Sequence, residues 1–363
     1  MKMPAAAPTA EFTDLTRAEL ERALADLDVE RYRARQLYQW VYGRGVDAFD
    51  SMTDLSIDLR QRLTAHFRIT TPAIVSRDIS TDGTQKFLFA LGDGTRVESV
   101  FIPDTPSQTF CVSTQAGCAM GCAFCLTATM GLVRNLTPGE IVGQVRVLAR
   151  EVDLAGKPFN IVMMGMGEPL HNYDHTMASL AILCDRHGLA VPARRITLST
   201  VGLVPAIERL ANEAIVPNLA VSLHAASEDL RARLVPIAKK YSITEIINAC
   251  RHFPLKHRDR ITFEYVLLAG VNDSPAEARK LAKVLRGVKA KVNLIPLNPA
   301  AGIPFERPSD NTINEFAAIL AEHRVTVLVR KSRGRDIRAA CGQLAVEGRK
   351  KTAAQRLADA ISS

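Results

Sequence analysis

The sequence predicts an α/β protein: a parallel sheet or barrel with helices outside it, preceded by a helical accessory module and a small β-hairpin. Three observations carry this. From Thr109 onward, short apolar strands alternate with helical runs, the pattern of repeated βα units. Near the amino terminus, apolar residues recur at helical spacing instead. Between the two regions, Lys86–Leu91 and Arg96–Ile102 flank Gly92-Asp93-Gly94, a hairpin signal.

Residues 1–14 are Ala/Pro-rich without an apolar h-region, and read as a flexible tail rather than a signal peptide. Residues 15–104 read as the accessory module. Thr16 and Glu19 have capping-box spacing, and Leu20, Leu24 and Leu27 follow on one helical face. A second helix is expected over Arg33–Tyr42, stopping at Gly43, and a third over Leu55–Phe67. Aromatic and basic residues mix here, so the aromatics are expected in a core and the cations on an RNA-facing surface. Residues 105–343 carry the alternating units. The expected strands are 110–113, 160–164, 196–199, 219–223, 262–267, 292–296 and 325–329, with helical runs such as 140–152, 176–186, 275–285 and 313–322 between them. Residues 344–363 read as a flexible carboxyl-terminal tail.

The chain has 363 residues and 47% hydrophobic content, enough for one large domain and a smaller one. Its net charge is +8, which suits a polyanionic partner. The surplus concentrates near the carboxyl terminus, in Arg330, Lys331, Arg333, Arg335, Arg338, Arg349, Lys350 and Lys351, against only Asp336 and Glu347. That density points to phosphate contact. No run is long and apolar enough to span a membrane. The chain is expected to be a monomer.

Seven cysteines do not make a disulfide framework, because three of them cluster. Cys118, Cys122 and Cys125 stand at C-x3-C-x2-C spacing. Three thiolates can hold three corners of an iron–sulfur cube and leave the fourth iron open for chemistry. Structural zinc prefers four ligands in a closed site, and no second pair lies nearby. An oxygen-sensitive cluster implies a reducing cytoplasm. Cys184 and Cys250 fall at apolar helical spacing and are expected in the core.

The triplet, with an aromatic residue before its last Cys, resembles the signature of the radical S-adenosylmethionine (SAM) enzymes. Four stretches narrow the resemblance: Arg33-Ala-Arg-Gln-Leu-Tyr-Gln-Trp40, Cys111-Val-Ser-Thr-Gln-Ala-Gly-Cys118, Met163-Met-Gly-Met-Gly-Glu-Pro-Leu170 and Ala339-Ala-Cys341-Gly-Gln-Leu344. Together, from about Leu15 to Gln343, they are similar to the RlmN family, which methylates carbon 2 of adenine in 23S ribosomal RNA and in tRNA. The resemblance implies a partial (β/α)6 barrel, open on one side to admit a macromolecule. It also implies a [4Fe–4S] cluster held by Cys118, Cys122 and Cys125, two SAM consumed per methylation, and an electron donor such as flavodoxin or ferredoxin. The targets it implies lie in the peptidyl-transferase region and beside the tRNA anticodon, where a base can leave its stack. Ala128 departs from the family pattern, where a glycine is common.

The same resemblance assigns roles. Gly167 and Glu168 match the loop that meets the amino group of SAM; glycine allows close approach and a carboxylate suits an amino group. Ser199, Ser222, Leu223, His224 and Asn298 match SAM-contacting positions. Taken singly, each is an ordinary polar or apolar residue at a strand end. Cys341 matches the cysteine that is methylated by a first SAM. A radical from a second SAM then takes a hydrogen atom from that methyl, and the carbon adds to adenine. The detour has a chemical reason, since C2 is flanked by electron-withdrawing ring nitrogens and is a poor nucleophile. Cys111 matches the cysteine that forms a transient disulfide with Cys341 to release product. Glu98 matches the proton acceptor; locally it reads as a strand Glu facing solvent or paired with Arg96.

Three alternatives stay open on the residues alone. One is the sister family that methylates carbon 8 of the same ribosomal adenine and confers antibiotic resistance. Val329-Arg-Lys-Ser-Arg-Gly334 and the full helical module favour the C2 family. The others are a radical SAM enzyme of different chemistry, such as a sulfur inserter or an activase, and a cluster- or zinc-stabilised RNA-binding protein.

Overall fold

The computed structural model describes residues 10–103 and 108–346. Residues 1–9, 104–107 and 347–363 lie outside the described residues. Arg349, Lys350 and Lys351 of the basic stretch, with Glu347, are therefore outside them too.

The amino-terminal module begins earlier than the sequence reading placed it. β1 (Ala10–Glu11) pairs in parallel with β2 (Phe67–Arg68), and a 3-10 turn over Phe12–Asp14 follows. Residues 10–14 are thus built in rather than tail. Phe12 is the reason. Its side chain is fully buried against the rings of Tyr38, Tyr42, Phe49 and Phe67, all within 6.4 Å centroid to centroid. Glu11 accepts the Thr70 N–H at 2.8 Å and Asp14 accepts the Gly139 N–H at 2.8 Å, so polar ties reinforce the apolar anchor. α1 (Arg17–Ala25) carries the capping box of Thr16 and Glu19. α2 (Arg33–Tyr38) continues as a π-turn through Gly43. α3 (Ile57–His66) starts two residues later than expected because Ser56 caps it.

The hairpin is no separate extension. β3 (Ala73–Ile79), β4 (Gln85–Ala90) and β5 (Arg96–Ile102) run antiparallel, and β5 pairs antiparallel with β6 (Thr109–Cys111). Strands assigned to the accessory module therefore belong to the barrel's sheet, joined by a register of Val100 with Cys111 and Phe101 with Phe110. β3 was not foreseen. It is a mostly exposed edge strand carrying Arg77 and Asp78, charges that suit an unpaired edge.

After β6 come a short hairpin of β7 (Gln115–Gly117) and β8 (Leu132–Asn135), with α4 (Leu126–Thr129) between them. Then the units alternate: α5 (Pro138–Glu151), β9 (Asn160–Met163), α6 (Tyr173–Cys184), β10 (Ile196–Thr200), α7 (Val204–Leu210), β11 (Asn218–Ser222), α8 (Glu228–Leu234), α9 (Ile243–His252), β12 (Ile261–Leu267), α10 (Pro275–Val284), β13 (Ala290–Pro296), α11 (Asp310–Glu322) and β14 (Thr326–Val329). Capping boxes at Thr137/Glu140 and Ser242/Glu245 fix where α5 and α9 begin. The ten-stranded sheet has the order β14-β13-β12-β11-β10-β9-β6-β5-β4-β3. From β6 to β14 every pairing is parallel. β3 and β14 are its unpaired edges, so the barrel is partial, as expected. Leu344 and Val346 are buried, which corrects the start of the carboxyl-terminal tail: apolar side chains pin 344–346 to the core.

Candidate active site

Parallel strands aim their carboxyl ends at one end of the barrel, and the loops leaving them build the site. The cysteine loop follows β6 and the β7 strand. Gly117 (φ +76) has to be glycine, because a Cβ would sit 1.9 Å from the Gly131 carbonyl oxygen. The Cys118 N–H donates to that same oxygen at 3.0 Å, and the Ala123 N–H donates to Leu234 O at 2.9 Å. At the far end of the loop the Leu126 N–H donates to Gly342 O at 2.8 Å, which seats the Cys341 segment on the cysteine loop.

Cys118, Cys122 and Cys125 line one cavity. Burial raises all three thiols above their usual range, Cys118 to about 12, and neighbouring sulfur charge adds to the rise, from Cys125 at Cys118 and Cys122 and from Cys341 at Cys125. Among the described residues no three His, Cys, Asp or Glu side chains share a point fit for a single metal ion. Three cysteines lining one cavity supply the ligands for a cube with one iron left open. The donor set and its placement fit a [4Fe–4S] cluster.

The second loop leaves β9. Gly167 (φ +106) leaves no room for a side chain: a Cβ would stand 2.6 Å from Gln115 Cβ. That close approach lets the Glu168 N–H donate to Gln115 Oε1 at 2.8 Å. The Glu168 carboxyl accepts the Val201 N–H at 2.8 Å and the Leu170 N–H at 3.1 Å. It is 3% exposed, and burial lifts it to about 7. Ser199 and Ser222 face each other with hydroxyl oxygens 3.5 Å apart. His224 has a left-handed backbone (φ 60). Its Nδ1 accepts the Val266 N–H at 3.1 Å, and burial lowers it to about 3, so the ring is neutral with its proton on Nε2. The ring meets Phe124 edge-on at 4.7 Å. Asn298 is buried, and its Oδ1 accepts no hydrogen bond among the described residues.

All of these line the cavity of the three thiols, with one exception. The Leu223 side chain is fully buried in the core and does not line it. Its backbone is tied instead, N–H to Glu264 O at 3.1 Å and O to Arg231 Nε at 3.2 Å.

Cys341 lines this cavity and also a lower, polar chamber of the same lumen, bordered by Thr109, Thr197, Thr262, Lys291 and Asn293. Cys111 and Cys341 share a small adjoining cavity with Arg330. Both are free thiols. Burial, with the nearby Cys341 sulfur, pushes the Cys111 thiol up to about 12, and Arg330 opposes the rise. Glu98 is not among the residues lining these cavities. It is buried rather than solvent-facing, and its partner is Lys86 (3.1 Å) instead of Arg96. The neighbouring strand β4 brings that lysine across. Its other oxygen accepts the Ala345 N–H at 2.9 Å, so Glu98 anchors the Cys341 segment.

The sequence reading missed three groups. Glu264 lines the cavity with one carboxylate oxygen unpartnered; a lone carboxylate inside the apolar run Ile261–Leu267 was the available signal. Arg330 was grouped with the phosphate-binding stretch, but it lines the cavities of both Cys111 and Cys341. Arg231, fully buried, donates to the carbonyls of Val201 (2.5 Å), Leu223 and Tyr241 and so ties three carboxyl-end loops together. Nothing in Glu228–Leu234 announces that role.

A partial barrel whose carboxyl-end loops gather three thiols, a glycine–glutamate loop and polar strand ends is the architecture of a radical SAM enzyme. Residues 112–282 match the radical SAM superfamily, and residues 10–69 match the ribosomal RNA large subunit methyltransferase N-terminal domain. The chain is 47% identical over 334 residues to the dual-specificity RNA methyltransferase RlmN of Syntrophobacter fumaroxidans, covering 92% of this chain and 97% of that one. It is 50% identical over 326 residues to the RlmN of Geobacter sulfurreducens, covering 90% and 89%. The crystal structure of a radical SAM methyltransferase from Sphaerobacter thermophilus superposes with a TM-score of 0.87 at 50% identity, covering 93% of this chain and 99% of that one. The chain belongs to the RlmN family of dual-specificity RNA methyltransferases. Membership sets aside a radical SAM enzyme of different chemistry, and a non-enzymatic RNA-binding protein.

Proposed function

We propose that this protein methylates carbon 2 of adenine in 23S ribosomal RNA and in tRNA, with Cys341 as covalent carrier of the methyl group. One observation carries the reading. Cys341 borders both the cofactor cavity and the polar lower chamber, so a single sulfur can face a methyl donor on one side and a base on the other.

When bound, the cluster and SAM supply a methyl group in one turn and a hydrogen-abstracting radical in the next. Cys118, Cys122 and Cys125 hold the cluster; Gly167, Glu168, Ser199, Ser222, the backbone at Leu223, His224 and Asn298 hold SAM. Apolar walls of Phe124, Val201, Val266 and Leu297 keep water from the reactive carbon. As a thiolate, Cys341 would take the methyl group and displace the thioether coproduct; that methyl would lose one hydrogen atom to the radical, and its carbon would bond to adenine C2, which gives up its proton and returns one electron to the cluster. Cys111 then attacks the Cys341 sulfur. A sulfur–sulfur bond forms and the carbon–sulfur bond breaks; the two cysteines are oxidised, and the departing carbon is reduced and takes up a proton to become the product methyl. Glu98 is the proton acceptor in this reading. Burial raises it above the usual carboxyl range, against Lys86, which makes it a stronger base than an exposed glutamate. To reach the adduct it must release the Ala345 N–H, coupling proton removal to movement of the Cys341 segment. A monomer, a cytoplasmic setting and a small electron-transfer protein of the flavodoxin or ferredoxin kind complete the reading. Among the described residues, no helix is long and apolar enough to cross a membrane.

The test is anaerobic: reconstituted protein, SAM, reductant and a protein-free 23S RNA fragment, with nucleosides separated and weighed by mass spectrometry. A 2-methyladenosine product is expected. An 8-methyladenosine product would transfer the protein to the sister chemistry.

A further inference from the structure

A second cleft lies outside the barrel, between the amino-terminal module and α5. Five cations line it, Arg44, Arg146, Arg150, Lys157 and Arg195, against one carboxylate, Asp47. Asp47 is already shared: Arg146 reaches it at 2.6 Å and Arg150 at 3.4 Å. Lys157 pairs with Asp153 at 2.8 Å on an exposed turn. The cleft keeps a positive surplus after these pairs are counted.

Arg146 is the unusual member. Its side chain is only 7% exposed, yet its Nε and Nη1 are buried with no hydrogen-bond partner among the described residues. A buried guanidinium normally has its donors satisfied. Here the Tyr42 ring, 5.6 Å from the guanidinium carbon, gives a cation–π contact but no acceptor. Donors left over on a buried cation, inside a basic cleft, call for an oxygen-rich anion.

The position of the cleft says which anion. Phe159 and Arg195 line it, and they directly precede β9 and β10. It therefore sits at the amino ends of the parallel strands, just outside the rim. The lower chamber opens at the same end, lined by Thr109, Thr197, Thr262 and Lys291, each the first or second residue of its strand. A strand of RNA that delivers a base to Cys341 through this end passes the rim where the cleft lies.

We propose that this cleft binds backbone phosphate of the RNA substrate and holds the strand while one base enters the lumen. The inference rests on the reading that RNA brings its base to Cys341. It does not depend on which adenine carbon is methylated.

The probe is a labelled transcript of the 23S fragment, titrated with holoenzyme over a series of NaCl concentrations. The variant is Arg150→Ala with Lys157→Ala; both side chains are 55% exposed, so the fold keeps its core. Binding should weaken about tenfold, and the salt slope should become shallower by roughly one for each phosphate no longer neutralised. SAM cleavage without RNA should match the unaltered protein. An affinity within twofold, with an unchanged slope, overturns the proposal. A second arm uses inorganic phosphate alone. If it raises the melting temperature of the unaltered protein but not of the variant, while RNA affinity is equal for both, the cleft is a small-anion site and the RNA assignment is overturned. RNA that binds through the cleft but yields no methylated adenine would instead count against the proposed function.

Discussion

The two ends of the barrel lumen differ in their share of polar and charged side chains. At the carboxyl ends of the strands, Met120, Phe124, Val201, Val266 and Leu297 surround three thiols and two buried carboxyls, Glu168 and Glu264. At the amino ends Thr109, Thr197, Thr262, Lys291, Asn293 and Arg333 add polar and charged groups to apolar walls that include Ile102, Val162 and Ile295. An apolar chamber strengthens the few charges placed in it and excludes water from a radical. A polar, basic chamber suits a polyanion that must arrive and leave. Cys341 stands at the boundary. The difference teaches that one barrel can separate the making of a reactive group from its delivery, with one sulfur crossing between.

The largest expected effect tests that boundary. Cys122→Ala should lose bound iron and SAM cleavage together, because two thiolates no longer hold the cube. Cys341→Ala should keep iron and SAM cleavage near normal and lose RNA methylation by roughly 10^3-fold or more. Iron content, 5′-deoxyadenosine release and methylated adenine, measured on both variants, separate the two ends. If Cys341→Ala abolished SAM cleavage as well, the division between the ends would collapse.

A smaller effect is expected at Arg231. It joins the loops after β10 and β11 to Tyr241 through three carbonyls. Arg231→Met should leave those buried acceptors unpaired and cost roughly 3–5 kcal/mol, read as a lower urea midpoint. RNA affinity of the folded variant should be unchanged, because the residue serves only the carboxyl end. An unchanged midpoint would show that the carboxyl-end loops stand without it.

The carboxyl end was legible in the sequence because its chemistry is local. Cys118, Cys122 and Cys125 lie on one short loop, and Gly167-Glu168 on another; the helix starts at Thr16 and Thr137 follow from capping spacing alone. What was not legible depends on distant pairings. Whether β3–β5 form a separate hairpin or extend the barrel rests on the register of β5 with β6, which no local pattern encodes. Phe12 looks like part of an Ala/Pro-rich tail until the rings of Tyr38 and Phe67 meet it. Arg231 and Arg146 are ordinary helix cations in sequence, and only packing turns one into a tie between loops and the other into a buried donor. Glu98 was found through resemblance, and its partner was misjudged because Lys86 reaches it from the next strand.

The finest discrimination between the two ends is by pH. Burial lifts the Glu168 carboxyl to about 7. Above that value it is a carboxylate able to accept an N–H from the amino group of SAM, the role proposed for it; below it the group is neutral and would attract that amino group less. At one unit below, only about a tenth of it is ionised. SAM affinity of the reconstituted protein, measured by equilibrium dialysis, should therefore fall severalfold, up to about tenfold, between pH 8 and pH 6. Glu168→Gln should bind weakly at both and show little of this slope. RNA affinity should hold nearly level over the same range, because Glu168 lies at the other end of the lumen. A level SAM affinity in the unaltered protein would mean that Glu168 is not the group that meets the amino end of SAM. A fall in both affinities together would mean that the two ends of the lumen are coupled, and that protonation at one reshapes the other.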